Sequence, residues 1–380
     1  MLALCAFACR PAVALADYEG RLNLAVGSAY ESNVFFAPSD EQGSASATSR
    51  LDGTVAWNSD ASTLALSLDG LYQPYLDSQL GATSAIDAAT TFTHEFEYSR
   101  SKLLVAYANA SSLVDAFQTD GEFVGDQRRE TITGGATEEI DLSETTSLAA
   151  DVDASTVSFH DTPNGVVNYD YDYATGTLTW RKELSERLTI GVGAAGSWYD
   201  TGDNGFRNEV TTIGPAVSAR YAINDRLSTA VDVSYRRDET NTRYFRGFAI
   251  DDTGYDYFGA VTIRRELDNG EVAIALRRTE QPSSTGTQDI RDEAQVSFRR
   301  SLAEKLDMRA ITTLIDENSG GNDSDRKAVA SELHFDWTVG EKLVASFSYR
   351  YVWQRSDSQP SNEQAHAVAL TLTRSFEHGR

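Results

Sequence analysis

The chain has 380 residues, with 33 Lys and Arg against 57 Asp and Glu, a formal charge of −24 and a pI near 4.5; so acidic a balance argues against a nucleic-acid binder, which would carry a basic patch. Hydrophobic residues make up 41% and the mean hydropathy is −0.38, and no apolar run approaches the ~20 residues of a spanning helix, which excludes a multi-span helical membrane protein. With 17 Tyr and 16 Phe but 7 Pro and 2 Met, the composition also speaks against wholesale disorder and leaves an ordered, strand-rich chain.

The chain opens on its one sustained apolar stretch, MLALCAFACRPAVALA, which closes on Ala14-Leu15-Ala16 before Asp17. That is the A-x-A pattern of a secretory cleavage site, so residues 1–16 read as a signal peptide and 17–380 as one domain. No Lys or Arg precedes the apolar core, which suggests a start codon placed too late. Cys5 and Cys9 both fall inside this segment, so the mature chain would have no cysteine and no disulfide. A lipid anchor on Cys9 fits poorly, because Phe7 puts a bulky aromatic where such signals carry smaller residues.

From Tyr18 to Phe376 the chain repeats one unit, a segment of period-two alternation followed by a polar connection. The segments are 20–31, 48–58, 63–75, 90–99, 102–113, 129–140, 147–159, 167–180, 188–199, 207–221, 227–237, 254–265, 271–279, 289–300, 306–316, 327–338, 343–355 and 363–376, which predicts an even set of eighteen strands. Connections after odd-numbered strands are long and rich in Gly, Asp, Asn and Ser: 38–47, 77–84, 114–126, 238–252 and 316–325. Those after even-numbered strands are short, as in 58–62, 99–101, 143–146, 182–187, 223–226, 266–270, 301–305 and 339–342. An up-and-down transmembrane β-barrel produces this asymmetry, with tight turns on the periplasmic rim and longer loops outside. The expected fold class is therefore all-β, a transmembrane antiparallel barrel of about eighteen strands.

Parity within the segments separates a greasy row from a wet one. Leu64, Leu66, Leu68 and Tyr72 oppose Ala65, Ser67 and Asp69; Tyr255, Tyr257, Val261 and Ile263 oppose Asp256, Ala260, Thr262 and Arg264; Leu333, Phe335 and Trp337 oppose Glu332, His334 and Asp336. In 167–180 the same reading sends Tyr169, Tyr171 and Tyr173 to lipid and Asp170 and Asp172 inward. A soluble β-sandwich would alternate too. The export signal, the loop asymmetry and aromatics near segment ends (Tyr30, Trp57, Tyr72, Tyr98, Trp198, Tyr221, Tyr235, Tyr255, Trp337, Trp353) favour a membrane barrel, where interfacial girdles form.

About 16–18 strands leave an aqueous channel unless loops fold inward. The expected lumen-lining residues are Asp69, Glu95, Glu97, Asp151, Asp153, Asp170, Asp172, Asp232, Asp256, Glu332 and Asp336, with Arg236, Arg264, Arg277, Arg299, Arg309 and Arg350. Acids lead in the first half and arginines cluster in the second, so the wall would set a transverse field that governs what passes. The same charges also suit a wall that merely solvates a water-filled interior.

Other motifs carry less. GVGAAG at 191–196 matches G-x-G-x-x-G, but it sits inside an alternating strand with no helix to receive a pyrophosphate; small residues here suit a bent or close-packed wall. No ligand spacing links the five histidines, and no cofactor or metal is expected. His334 between Glu332 and Asp336 could serve as an acid/base group held by carboxylates, the basis of an alternative barrel-hydrolase reading, although no G-x-S-x-G motif is present.

The run YESNVFFAPSD 30–40, RLDGTVAW 50–57 and LALSLDGLYQPYLD 64–77, with the later turns KELSERL 182–188 and INDRLS 223–228, resembles a loosely defined family of β-barrel porins found near exopolysaccharide and surface-polymer loci. The resemblance rests on Tyr30, Ser32, Asn33, Val34, Tyr72 and Tyr75. It implies an outer-membrane barrel that passes or helps secrete polysaccharide. The strands and their wet inner row together lead to the expectation of a non-enzymatic channel, in the outer membrane of a Gram-negative cell, for hydrophilic solutes or a secreted polysaccharide. The final strand, AHAVALTLTRSF, resembles the C-terminal assembly signal of such barrels but continues through Glu377–Arg380. The expected partners are outer-membrane lipid and lipopolysaccharide, the barrel-assembly machinery and a polysaccharide export partner, with no nucleic acid. The competing expectation is a structural or adhesive surface barrel with an occluded lumen.

Overall fold

The computed structural model describes residues 17–34, 43–77, 80–111, 128–160, 168–203, 206–244, 248–283, 286–319, 325–356 and 362–379; the segment read as a signal peptide lies outside them. Eighteen strands follow in chain order: β1 (Asp17–Glu31), β2 (Ser44–Asn58), β3 (Ser62–Pro74), β4 (Ala82–Glu95), β5 (Ser99–Ser111), β6 (Arg128–Ser143), β7 (Thr146–His160), β8 (Tyr171–Ser185), β9 (Leu188–Asp203), β10 (Phe206–Asn224), β11 (Leu227–Tyr244), β12 (Phe248–Leu267), β13 (Gly270–Pro282), β14 (Gln288–Ala303), β15 (Leu306–Ser319), β16 (Arg326–Gly340), β17 (Leu343–Ser356) and β18 (Asn362–Gly379). Each pairs antiparallel with its chain neighbours, and β1 also pairs with β18 from Glu19↔Gly379 to Glu31↔Ala367, so the sheet closes on itself. Closure removes the two raw edges that an open sheet would present. The chain is an all-β up-and-down barrel.

At one end of the barrel the strands are joined by tight turns. Register shifts mark the hairpins at Asp141/Ser143, Glu183/Ser185, Ala222/Asn224, Ser301/Ala303 and Thr338/Gly340, all at this end. At the other end, several connections read from sequence as loops are strand. Residues 238–252 belong largely to a long hairpin, because β11 and β12 stay paired out to Tyr244↔Phe248. Residues 200–203, past the end of the segment predicted to stop at 199, also continue the strand, paired to β10 as far as Asp203↔Phe206. These stretches lost the apolar alternation because nothing at that height requires a greasy outer face; the ladder of backbone hydrogen bonds continues regardless.

The barrel inverts the usual layout of a soluble domain. Its exposed face carries Leu22, Leu24 and Val26 of β1, Leu64, Leu66 and Leu68 of β3, Leu103 and Val105 of β5, and Leu370 and Leu372 of β18, with Val26 60% and Leu370 59% exposed. Aromatics band this belt at both ends. Trp57, Tyr98, Trp180, Tyr221, Trp337 and Phe376 lie toward the short turns, and Tyr30, Tyr72, Trp198, Tyr235, Tyr255 and Tyr257 toward the long connections.

One corner of the wall is unusually tight. A Cβ built on Gly193 of β9 would fall 1.9 Å from the carbonyl oxygen of Leu178 on β8, and one on Gly214 of β10 would fall 1.9 Å from that of Tyr235 on β11. The glycines of GVGAAG therefore serve close strand approach. Gly193→Val should destabilise the barrel by about 1–3 kcal/mol through overpacking, read as a lower urea midpoint of the folded form; an unchanged midpoint would remove the steric account.

Candidate functional site

The lumen is built by alternation, since residues in one phase of every strand share the inner face and cross-strand register lines them into rows. On β1 to β4 the row runs Asn23↔Asp52↔Asp69↔Asp87. Asn23 donates to Asp52 at 2.6 Å and the Arg50 Nε donates to Asp69 at 2.7 Å. Asp151 and Asp153 face the interior from β7, with the Thr137 hydroxyl 2.7 Å from Asp151. Further round, Arg299 and Arg309 oppose each other across β14 and β15, and Arg309 registers with His334. Arg264 lies 3.4 Å from Glu271, Arg277 lies 3.2 Å from Glu293, and Arg350 lies 3.8 Å from Glu31.

Of the remaining sequence-selected residues, Asp232, Arg236 and Asp256 share the inner phase of β11 and β12, and Glu332 and Asp336 that of β16. Glu95 ends β4 beside the short turn, 3.1 Å from Arg100. Three assignments are corrected. Glu97 lies in the exposed β4–β5 turn, where its hydrogen bond with Tyr98 raises that phenol above its ordinary value. Asp170 precedes β8 and caps the rim, its carboxylate accepting from the Phe159 amide at 2.9 Å. Asp172 shares the outer phase of Leu178 and Trp180, while Tyr171 and Tyr173 point inward. The tyrosine row is greasy because it packs inside the barrel's end: Val157, Tyr171, Tyr199 and Val210 form a buried cluster with Phe159 and Tyr173 against it.

His334 Nε2 lies 3.3 Å from Glu332, but Asp336 accepts from the Ser346 hydroxyl at 2.7 Å, so the two carboxylates do not converge on the imidazole. Among the described residues, no three His, Cys, Asp or Glu gather as a metal site.

Sequence reasoning missed the principal feature of the lumen, its narrowing toward the long connections. Pairing between β12 and β13 stops at Gly259↔Arg278, whereas β13 and β14 remain paired to Pro282↔Gln288. Beyond Arg278 the β13–β14 hairpin leaves the wall and crosses the inner face of β9 to β12. Glu280 Oε2 accepts from Ser197 of β9 at 2.6 Å and from Arg236 of β11 at 3.0 Å. Farther along, the Tyr199 hydroxyl donates to the Ser283 carbonyl at 3.1 Å and Asn208 Nδ2 to the Gly286 carbonyl at 3.1 Å. Gly286 takes φ +88°, and a Cβ there would meet Phe206 at 2.7 Å, so glycine lets the tip lie flat on the aromatics. By alternation Glu280 would share the outer phase of Leu276; only the strand's departure turns it inward.

The next arc round the same end, β14 to β18, is fastened by charge. Glu317 of β15 lies 3.0 Å from Arg291 of β14 and 2.8 Å from Arg326 of β16, all three side chains under 10% exposed. Arg326 reaches Gln354 of β17 at 3.4 Å, and Gln354 donates to Glu363 of β18. Beyond β18, beside β1 to β4, Val34, Tyr75 and Leu80 pack together, with the Tyr75 hydroxyl 3.3 Å from Glu31. Inner residues are thus buried toward the long-connection end, while Asp69, Asp151, Arg264 and Arg299 nearer the short turns keep contact with solvent.

No protein-family model and no curated protein matches the sequence. Solved structures do match in shape. The FrpB iron transporter from Neisseria meningitidis superposes with a TM-score of 0.53 at 10% identity over 90% of this chain and 62% of that one. The ferric citrate transporter FecA gives 0.52 at 10% identity over 88% and 60%. Pseudomonas aeruginosa OpdO gives 0.44 at 13% identity over 95% and 97%. The chain spans about 60% of the length of the two iron transporters, and at this identity the likeness establishes the barrel fold alone.

Proposed function

We propose that this protein is a non-enzymatic outer-membrane channel for hydrophilic solutes, narrowed at its long-connection end. The observation that carries the reading is the inversion of the barrel: an exposed apolar belt banded by Tyr and Trp surrounds an interior lined with Asp, Glu, Arg, Ser and Thr. A bilayer accepts only spanning structures whose backbone groups are all paired, and a closed sheet of this kind meets that condition. Eighteen strands are enough for a water-filled bore.

The belt gives a sharp test. Leu66 faces out near mid-height of β3 and Ser67 faces in. Leu66→Arg should cost about 2–4 kcal/mol when the barrel is unfolded by urea from lipid vesicles, and Ser67→Arg far less. Equal costs would argue against lipid contact. Steady ohmic current in planar bilayers supports the channel. Silence supports the second reading, an occluded surface barrel, which the buried inner rows at the long-connection end favour.

Secretion of a polysaccharide is the finer form of the proposal, resting on the resemblance to porins near exopolysaccharide loci. It requires a periplasmic export partner to deliver the polymer. Deleting the gene should then abolish surface polymer while leaving its synthesis intact; undiminished surface polymer would confine the function to small solutes.

A further inference from the structure

Beneath the crossing of the β13–β14 hairpin lies a cavity of about 410 Å³, walled by β8 to β12 and roofed by Thr279 and Glu280. Its size falls in the range of small-molecule sites. The roof is fixed, because Glu280 is held by Ser197 and Arg236 and the Arg236 guanidinium lies 4.9 Å over the Phe258 ring. On the β9 side the wall is the short side chain of Ala195.

The lining has three kinds of group. Thr177, Thr179 and Ser218 offer hydroxyls, Tyr173 offers a ring, and Arg220 and Asp232 offer opposite charges. The arginines differ in availability. Arg181 lies 3.0 Å from Glu139, and Arg236 lies 3.0 Å from Glu280. Arg220 is exposed to the cavity and has no ion-pair partner within 4 Å among the described residues; the same holds for Asp232.

We propose that this cavity is a binding site for a sugar acid, a hydroxylated ring bearing one carboxylate. This deepens the channel reading and rests on it for its role in passage. A free guanidinium matches a carboxylate with two parallel hydrogen bonds. Asp232 can only accept, so it suits the donor hydroxyls of a sugar and repels a second anionic group. The Thr and Ser hydroxyls complete the ring's hydrogen bonds, and Tyr173 covers its apolar face. A simple anion would use Arg220 alone, and a neutral sugar would leave it unmatched.

The test uses the full-length folded barrel in planar bilayers at about 0.1 M salt, where charge is little screened, with glucuronate, galactose and acetate as probes. Glucuronate should interrupt the current at lower concentration than galactose or acetate. Arg220→Gln should weaken that block about tenfold, as expected for one charge-assisted pair, and Arg220→Lys should restore part of it. Heat-modifiable migration of each variant confirms folding. A conducting channel blocked equally by galactose and glucuronate, or unaffected by Arg220→Gln, overturns the site and leaves the channel standing. Absence of current overturns the channel, and equilibrium dialysis of glucuronate against the folded barrel then decides the site: retention that falls in Arg220→Gln supports it, and no retention ends it.

Discussion

Glu317→Leu should destabilise the barrel by about 3–5 kcal/mol, the usual cost of removing one member of a buried ionic network. Glu317 stands between Arg291 and Arg326, its two oxygens 3.0 Å and 2.8 Å from them, with side-chain exposures of 8%, 7% and 5%. Removing the carboxylate leaves two guanidinium groups facing each other across one strand with little water to screen them. The loss should appear as a lower urea midpoint and as migration of the folded band at a lower temperature. Replacing all three residues together, Arg291→Met, Glu317→Leu and Arg326→Met, should recover most of it, since well-packed apolar side chains often equal or exceed a buried ionic triad. A single variant within about 1 kcal/mol of the parent, the value typical of exposed pairs, would mean that the network is wetter than its exposure indicates.

For the proposed channel, untying the crossing hairpin should have the largest effect on passage. Glu280→Ala removes the acceptor shared by Ser197, Thr212 and Arg236. Shortening 283–287 to a two-residue turn removes the contacts of Tyr199 and Asn208 with the Ser283 and Gly286 carbonyls. Both changes together remove the described side-chain tethers of the hairpin to β9, β10 and β11, and single-channel conductance in planar bilayers should rise by roughly twofold or more as the narrow section widens. An unchanged conductance would place the limiting section elsewhere, most simply at the arc fastened by Glu317.

How far the amino-acid order reveals this molecule depends on height along the barrel. Over the apolar belt one face must be greasy and the other wet, so Leu64, Leu66 and Leu68 or Val261 and Ile263 announce their phase. Strand number and pairing order are legible from that alternation, and the asymmetry of the two ends from the lengths of the connections. Past the belt the constraint lapses. The outer part of β8 shows the consequence: Tyr171 and Tyr173 look lipid-facing in isolation, yet Leu178 and Trp180 on the same strand carry the opposite phase and set the true one. Following the phase through the whole strand would have placed Asp172 outside. No comparable signal exists for Glu280, because its position depends on where β13 parts from β12, a tertiary event. The Arg291–Glu317–Arg326 network was equally hidden, as three charges on three strands become a unit only once register brings them level.

The seam between β1 and β18 bears on how the molecule comes into being. It joins residues more than 330 positions apart in sequence, such as Glu31 and Ala367, so no nascent portion of the chain can complete the ring. Until the last strand arrives, the growing curtain has two hungry margins, and each offers a template for the margin of another copy. Ring closure is thus a race between a distant intramolecular match and a nearby intermolecular one. Slow, long-range pairing of this kind favours the wrong outcome at high concentration, and a chain cut before Asn362 would never leave the starting line.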